Sequence, residues 1–384
     1  MLVDGGRIVR LARSAAAVRR ARREAGRELD LGELVLAPGL VNAHAHLELT
    51  GLAGRLPARK GFSAWIGALL QERAARTVEE LARDAARGAE MLLATGTTTV
   101  GDVDSTGAGA RACRGGGPRV VLYREVLDAW DPERTEEALR TIRRALPRRS
   151  RRVEGISPHA PFTTSRELLS GVAVVRRRRN APVSVHWSET RAEVEWLEHG
   201  RGELAALLPA SPRRRGLALL EEAGLLDASL SLIHGNHPAR GEPARVAAAG
   251  ATLVHCPGTH AFFGREPFPW RRWAAAGVRL ALGTDSLASN HELDLRREMA
   301  LFRAAAPGLA PADVFAMATT GGARALGLAG EVGELRCGAW ADLVAYRLHG
   351  ATAAAALEEL TCGGGEVVRA WIGGRRVRSP RSLT

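Results

Sequence analysis

Lysine is almost missing from this chain: Lys60 stands alone among 54 basic residues, and all the others are arginine. Aromatic residues make up only 4% of the 384 residues, and there are four cysteines. Each shortage excludes something. Arg, Ala and Gly dominate together, which reads as a codon-composition bias, so the formal charge of +12 is weak support for a nucleic-acid partner. The Arg runs at Arg176 to Arg179, at Arg213 to Arg215 and in PRRSRR have no interleaved aromatic on which a base could stack. Cys113, Cys256, Cys337 and Cys362 are scattered and form no CxxC pair, so neither a disulfide framework nor a thiolate zinc site is expected. No apolar run reaches the roughly 18 residues that a membrane span requires. The start MLVDGGRIVRLARS lacks the apolar stretch of a secretory signal, and a cytoplasmic location is the expectation.

What is present is a repeated alternation. Short apolar, β-branched runs occur at 35–49, 97–105, 118–126, 153–162, 182–190, 230–237, 252–260 and 278–286. Ala/Leu/Arg/Glu stretches of helical period separate most of them, such as Val78 to Leu93 and Pro132 to Leu146. Asp131 and Pro132 suit the start of the second stretch as cap and first-turn residue. Eight strand–helix alternations predict an α/β fold, a closed (β/α)8 TIM barrel over residues 37–332. A doubly wound open sheet is the alternative. In most runs, however, His, Asp or Glu falls near the C-terminal end, where a barrel gathers its site; an open sheet uses one switch point. Residues 1–36 and 333–384 contain short strand-like pieces, GRIVRL, ADLVAY and VVRAWIGGRRV. They are expected to pair into a small discontinuous β-sandwich.

Four constellations carry chemistry. His44 and His46, two apart at the end of the first run, point to one side of a strand and can reach one metal ion; two unrelated histidines are the competing reading. Glu48 follows at the rim, or is a solvated loop residue. His186 in HWSE offers a third nitrogen, and Glu189 stands where a carboxylate can transfer protons without binding the metal. Asp285 in GTDS adds an oxygen after the eighth run, unless it only caps the following helix. Three nitrogens and one oxygen with a position left for water describe a catalytic metal site. His234 in LIHGNH is a further ligand or a hydrogen-bond partner of the nucleophilic water. His159 in SPHAPF is a candidate substrate contact.

Together PGLVNAHAH, HWSET, IHGNH, HCPGTHAFFG and GTDSLASN resemble the amidohydrolase superfamily, and within it the cytosine-deaminase-like branch, over nearly the whole chain. The resemblance implies that His44, His46, His186 and Asp285 hold the metal, that Glu189 is the acid/base, that His234 orients the water, that His159 contacts the purine and that Trp65 walls the pocket. It also implies one divalent ion, zinc or else iron or manganese. Two-metal relatives use a carboxylated lysine in mid-barrel, and Lys60, in the loop GRLPARKGF, is badly placed for that; a bridging Glu such as Glu125 stays open. HAHLELTGL, FSAWIGALL and HCPGTHAFFG are most similar to the aminodeoxyfutalosine deaminases of menaquinone biosynthesis. These release ammonia from an adenine nucleoside bearing a carboxyphenyl group, for which Arg73 or Arg124 is a candidate partner. S-adenosylhomocysteine/methylthioadenosine or guanine deamination and triazine chlorohydrolysis are the alternatives on the same site; a basic nucleic-acid-binding protein is the alternative of another class. A small-molecule substrate, no nucleic acid, no membrane and a homodimer are expected. The resemblance further implies two or three strands ahead of GGRIVRL, so a reduced sandwich or a displaced start is expected.

Overall fold

The computed structural model describes residues 1–56, 61–113, 117–146, 154–350 and 352–377. Two short strands, β1 (Leu2–Asp4) and β2 (Arg7–Arg10), form an antiparallel hairpin. Its turn is Gly5-Gly6, both at positive φ (53° and 82°), as a two-residue turn matching strand twist demands. Then comes a helix, Ala15–Glu24, capped by Ser14. Only strand-like pieces were expected before residue 37. Ala and Arg, both strong helix formers, decide the local structure here.

The run at 35–49 is two strands. β3 (Val35–Pro38) pairs with β12 (Leu343–Arg347), whereas β4 (Leu40–Ala45) opens the barrel. Gly39 makes the passage: a Cβ there would lie 2.0 Å from Thr98 Oγ1, so only glycine lets the chain cross that close to its neighbour. β12 is followed by β13 (Glu366–Ile372) and β14 (Arg375–Val377), and the sheet order is β14-β13-β12-β3. One face of this antiparallel sheet packs Leu343, Ala345 and Trp371 against Ile8 of the hairpin. The other packs Val344, Tyr346 and Ala370 with Leu360 of the helix Ala353–Thr361. The terminal unit is thus a single sheet covered by a hairpin and a helix.

The other seven runs become β5 (Thr97–Asp104), β6 (Arg119–Val126), β7 (Glu154–Pro158), β8 (Val183–Trp187), β9 (Leu230–His234), β10 (Thr252–His255) and β11 (Arg279–Leu282). They line up in chain order in one eight-stranded parallel sheet. A parallel bridge between Ala45 and Asp285 joins its two ends, so the sheet curls into a barrel. The closure is reinforced by Asn42, whose amide donates to Thr284 Oγ1 (2.7 Å) and whose Oδ1 accepts from Thr284 N (3.2 Å). Helices cover the outside. Val78–Ala94 begins with a Thr77/Glu80 capping box, and Pro132–Ala145 is capped by Asp131, both stabilising exposed first-turn N–H groups. Inside, Val41, Val103, Val121 and Tyr123 pack with Ala323, Leu326 and Val332, which fills one end of the barrel and leaves its strand C-termini for polar groups. No helix among the described residues is long and apolar enough to cross a membrane.

Candidate active site

The site begins with an irregularity in β4. Asn42 pairs with Val100 and Ala45 with Asp102, so β4 spends one more residue than β5 over this stretch. Such a bulge re-aims side chains. Ala43 remains packed in the barrel core with Ile233 and Val254, Ala45 packs outward with Leu47 and Leu81, and His44 and His46 both turn to the mouth. His186 comes from the fifth barrel strand, β8. Its Nε2 lies 3.2 Å from His44 Nε2 and 3.3 Å from His46 Nε2. Its Nδ1 lies 2.9 Å from the His159 carbonyl, which fixes Nδ1 as the N–H and leaves the Nε2 lone pair facing the cluster. Asp285 Oδ1 stands 3.7 Å from both His44 Nε2 and His46 Nε2.

These distances match a metal centre. Ligands at about 2.0–2.1 Å from a tetrahedral zinc lie roughly 3.3 Å from one another. Burial pushes the imidazoles towards neutrality: His44 is lowered, His46 to about 3. Neutral imidazole is the ligating form. Burial opposes ionisation of Asp285, but His44, His234 and His46 hold its carboxyl well below the usual carboxylate range. The donor set thus fits one divalent ion. A second trio, Glu125, His159 and His186, has ligand atoms within 4.8 Å of one another. It shares His186, whose single free lone pair cannot serve two ions, so the two groups cannot both be filled.

Glu189, beyond β8, sits on the other side of the cluster. Its Oε1 is 3.7 Å from His234 Nε2, and His234 Nε2 is 3.9 Å from Asp285 Oδ2. Glu193 fixes this corner by accepting from the N–H groups of Ser188 and Glu189, both at 2.8 Å. His159 gives Nδ1 to contact with Thr163 Oγ1 at 2.7 Å, and burial lowers its pKa to about 4. Trp65 donates Nε1–H to the Ala288 carbonyl (3.2 Å) and forms an apolar wall with Leu49, Leu52 and Leu56, flanked by Phe62 and Phe263. Glu48 is buried at the rim, accepting from Arg73 (3.0 Å) and Thr106 (2.7 Å).

The structure therefore brings together His44, His46, His186, His234, Asp285 and Glu189, with His159 against His186 and Trp65 and Glu48 on nearby segments. Arg124 stays outside the group. On β6 it is Glu125 whose charge is felt by His46 and His159; Arg124, one residue earlier, faces the opposite side towards Asp102 and Gly107. Arg73 is committed to Glu48. Lys60 lies outside the described residues. Two residues of this site went unread in the sequence: Glu193, and Arg265, whose Nη2 donates to Glu189 Oε1 at 2.5 Å. The only sequence signal of Arg265 was a charge immediately after the HCPGTHAFFG motif.

Known proteins resemble this chain over most of its length. The model of the amidohydrolase family matches residues 35–377. A 5-methylthioadenosine/S-adenosylhomocysteine deaminase of Syntrophobacter fumaroxidans is 34% identical over 83% of this chain and 74% of its own length. An aminodeoxyfutalosine deaminase of Deinococcus radiodurans is 33% identical over 76% of this chain and 73% of its own. Among solved structures, a zinc-bound adenosine deaminase of Xanthomonas campestris superimposes with a TM-score of 0.82 at 27% identity, over 100% of this chain and 89% of that one. The fold is shared as well by a Helicobacter pylori aminofutalosine deaminase (TM-score 0.85, 20% identity, 98% and 94% covered).

Proposed function

This chain belongs to the amidohydrolase family and is a hydrolase of carbon–nitrogen bonds other than peptide bonds, and on that premise we propose that it deaminates the adenine ring of a nucleoside substituted on its sugar. The observation that carries the reading is the placement of Glu189 and His234 beside a three-imidazole, one-carboxylate cluster. A ring amine is a poor leaving group, and its departure needs water activated on one side and a proton supplied on the other.

His44, His46, His186 and Asp285 would hold the ion, zinc by preference. When bound, a divalent ion polarises water and lowers its pKa from 15.7 towards about 7. The remaining work belongs to the chain. His234 Nε2 and Asp285 Oδ2 stand far enough apart to share one water between them, aligning it with C6 of the ring. Asp285 takes up a proton from that water. Glu189, acting as the acid, delivers its proton to the ring nitrogen beside C6 as the C6–O bond forms; the proton held by Asp285 then passes to the amino group as the C6–N bond breaks, and the proton of the new hydroxyl returns to Glu189. Water plus the aminopurine become the oxopurine and ammonia. His159 holds the purine from the other side, and Trp65 with Phe62 and Phe263 offers a surface for the apolar part of the sugar substituent.

The motifs HAHLELTGL, FSAWIGALL and HCPGTHAFFG, and the Deinococcus relative, favour aminodeoxyfutalosine, which would place the enzyme in menaquinone synthesis. Methylthioadenosine or S-adenosylhomocysteine is the second reading, favoured by the Syntrophobacter relative; the commitment of Arg73 to Glu48, which removes one expected partner of a substrate carboxylate, favours methylthioadenosine, which has none. Ammonia release from a panel of these three nucleosides, adenosine, guanine and cytosine separates the readings. The Glu189→Gln enzyme should keep its metal and lose at least about a hundredfold in kcat. Full activity in that variant would remove Glu189 from the mechanism.

A further inference from the structure

Arg265 is a nearly buried cation, its side chain 9% exposed, and among the described residues the one carboxylate it meets is that of Glu189, itself 12% exposed. The guanidinium lies over the Phe263 ring, 4.6 Å from its centroid, and its backbone N–H bonds to His260 O at 3.2 Å. Aromatic contact and loop anchor together fix where the fork can reach. Nη2 takes Glu189 Oε1, while Nη1 is buried and unpartnered. A buried charge of this kind is costly to keep unless its geometry is used. Packing alone does not call for it, since Phe263 already packs against Trp65, 5.2 Å between ring centroids.

We propose that Arg265 is a positioning residue for Glu189. It holds Oε1, at the distance from His234 given above, and so leaves Oε2, which takes no hydrogen bond among the described residues, as the oxygen that carries the proton to the ring nitrogen. Without that anchor the Glu189 side chain keeps its chemistry and loses its aim. A carboxylate displaced by about an ångström costs on the order of a hundredfold in rate. Substrate contacts lie elsewhere, on His159 and the aromatic wall, so binding is spared. The assignment rests on the deamination reading.

The test is a double-mutant cycle on the metal-loaded enzyme, using the best nucleoside of the panel: wild type, R265K, R265Q, E189Q and E189Q/R265Q, each with kcat, KM and metal content. R265Q is expected to lose about a hundredfold in kcat with KM changed by less than about threefold. R265K, which keeps the charge, is expected to recover part of that loss. Adding R265Q to E189Q is expected to cost nothing further, because the group that Arg265 positions is already disabled. Losses that multiply in the double variant, or an R265Q enzyme as fast as wild type, overturn the inference. Should R265Q fail to fold, R265K and E189Q/R265K make the same comparison. A wild type that deaminates no nucleoside overturns the deamination reading, and the inference with it; an active wild type beside an unimpaired R265 variant overturns the inference alone.

Discussion

Three side chains of the site stand on backbone that L-residues seldom adopt: Ser188, His234 and Asp285 have φ of 51°, 76° and 57°. Each costs on the order of 1–3 kcal/mol and persists only where the surroundings enforce it. For Asp285 the enforcement is visible, since its N–H and that of Thr284 both reach the His44 carbonyl, at 3.0 and 3.1 Å. Gly283 permits this approach. A Cβ on Gly283 would lie 2.9 Å from both the Cβ and the carbonyl oxygen of His44 and 3.1 Å from its nitrogen. Two of those atoms are backbone and cannot turn away. Gly283→Ala is therefore expected to cost about 1–3 kcal/mol and to weaken metal binding by prising Asp285 from His44. Urea unfolding and metal titration check it; an alanine variant with unchanged metal affinity would mean that β4 and β11 yield more easily than this packing implies. At this scale the proposed ligands His44 and His46 were legible as a pair, because two residues apart on a strand means one side. Arg265 and Glu193 were not, because a charge or a helix-turn carboxylate acquires its meaning from a partner chosen by the fold.

Elements were legible where hydrophobic period and strand length agreed. The seven runs from β5 to β11 each became one barrel strand, and the cap chemistry of Pro132–Ala145 was readable from Asp131 and Pro132. The run at 35–49 misled because its apolar pattern continues through Gly39, while the hydrogen bonding changes sheet there. The bulge in β4 was equally invisible, since an extra residue alters no local preference. One element carries a pH consequence. The helix Leu295–Ala305 presents buried Glu298, which accepts from Gly258 N (2.6 Å) and Asn290 Nδ2 (2.7 Å) and so ties this helix to the segment after β10. Burial pushes its pKa up to about 8, against the lowering effect of those two donors. A carboxyl whose pKa is raised on folding binds more protons in the native state than in the unfolded one. Its contribution is therefore fully present below the unfolded pKa of about 4.3 and is lost as pH rises through about 8, with a slope approaching 1.4 kcal/mol per pH unit between. Unfolding free energies of wild type and Glu298→Gln, measured from pH 5 to pH 8, should differ in slope with the wild type falling faster. Parallel curves would show that Glu298 is ionised throughout.

For the whole molecule, the proposed metal ligands come from both sides of the barrel's closure and from across its mouth. His44 and His46 belong to the first strand and its end, His186 to the fifth and Asp285 to the end of the eighth, and the first and last meet through the Ala45–Asp285 bridge, the Asn42–Thr284 contacts and the bonds of Thr284 N and Asp285 N to the His44 carbonyl. An ion held there would tie these strands together. Without it, His186 Nε2 stands 3.2 Å from His44 Nε2 and 3.3 Å from His46 Nε2, with the Asp285 carboxylate beside them. Surface ion pairs, numerous in so arginine-rich a chain, are individually worth at most about 1 kcal/mol and do not replace that tie. A ligand that binds only the folded state and is present at a thousand times its Kd stabilises by about 4 kcal/mol. Removing the ion with a chelator should thus abolish deamination and lower the thermal midpoint by several degrees, and stoichiometric zinc should restore both. The His186→Ala protein, lacking the ligand that reaches across the mouth, should melt near the chelated wild type and respond weakly to zinc. A chelated wild type that melted at the holo temperature would show that strand pairing alone closes the barrel, and that the cluster serves chemistry without serving stability.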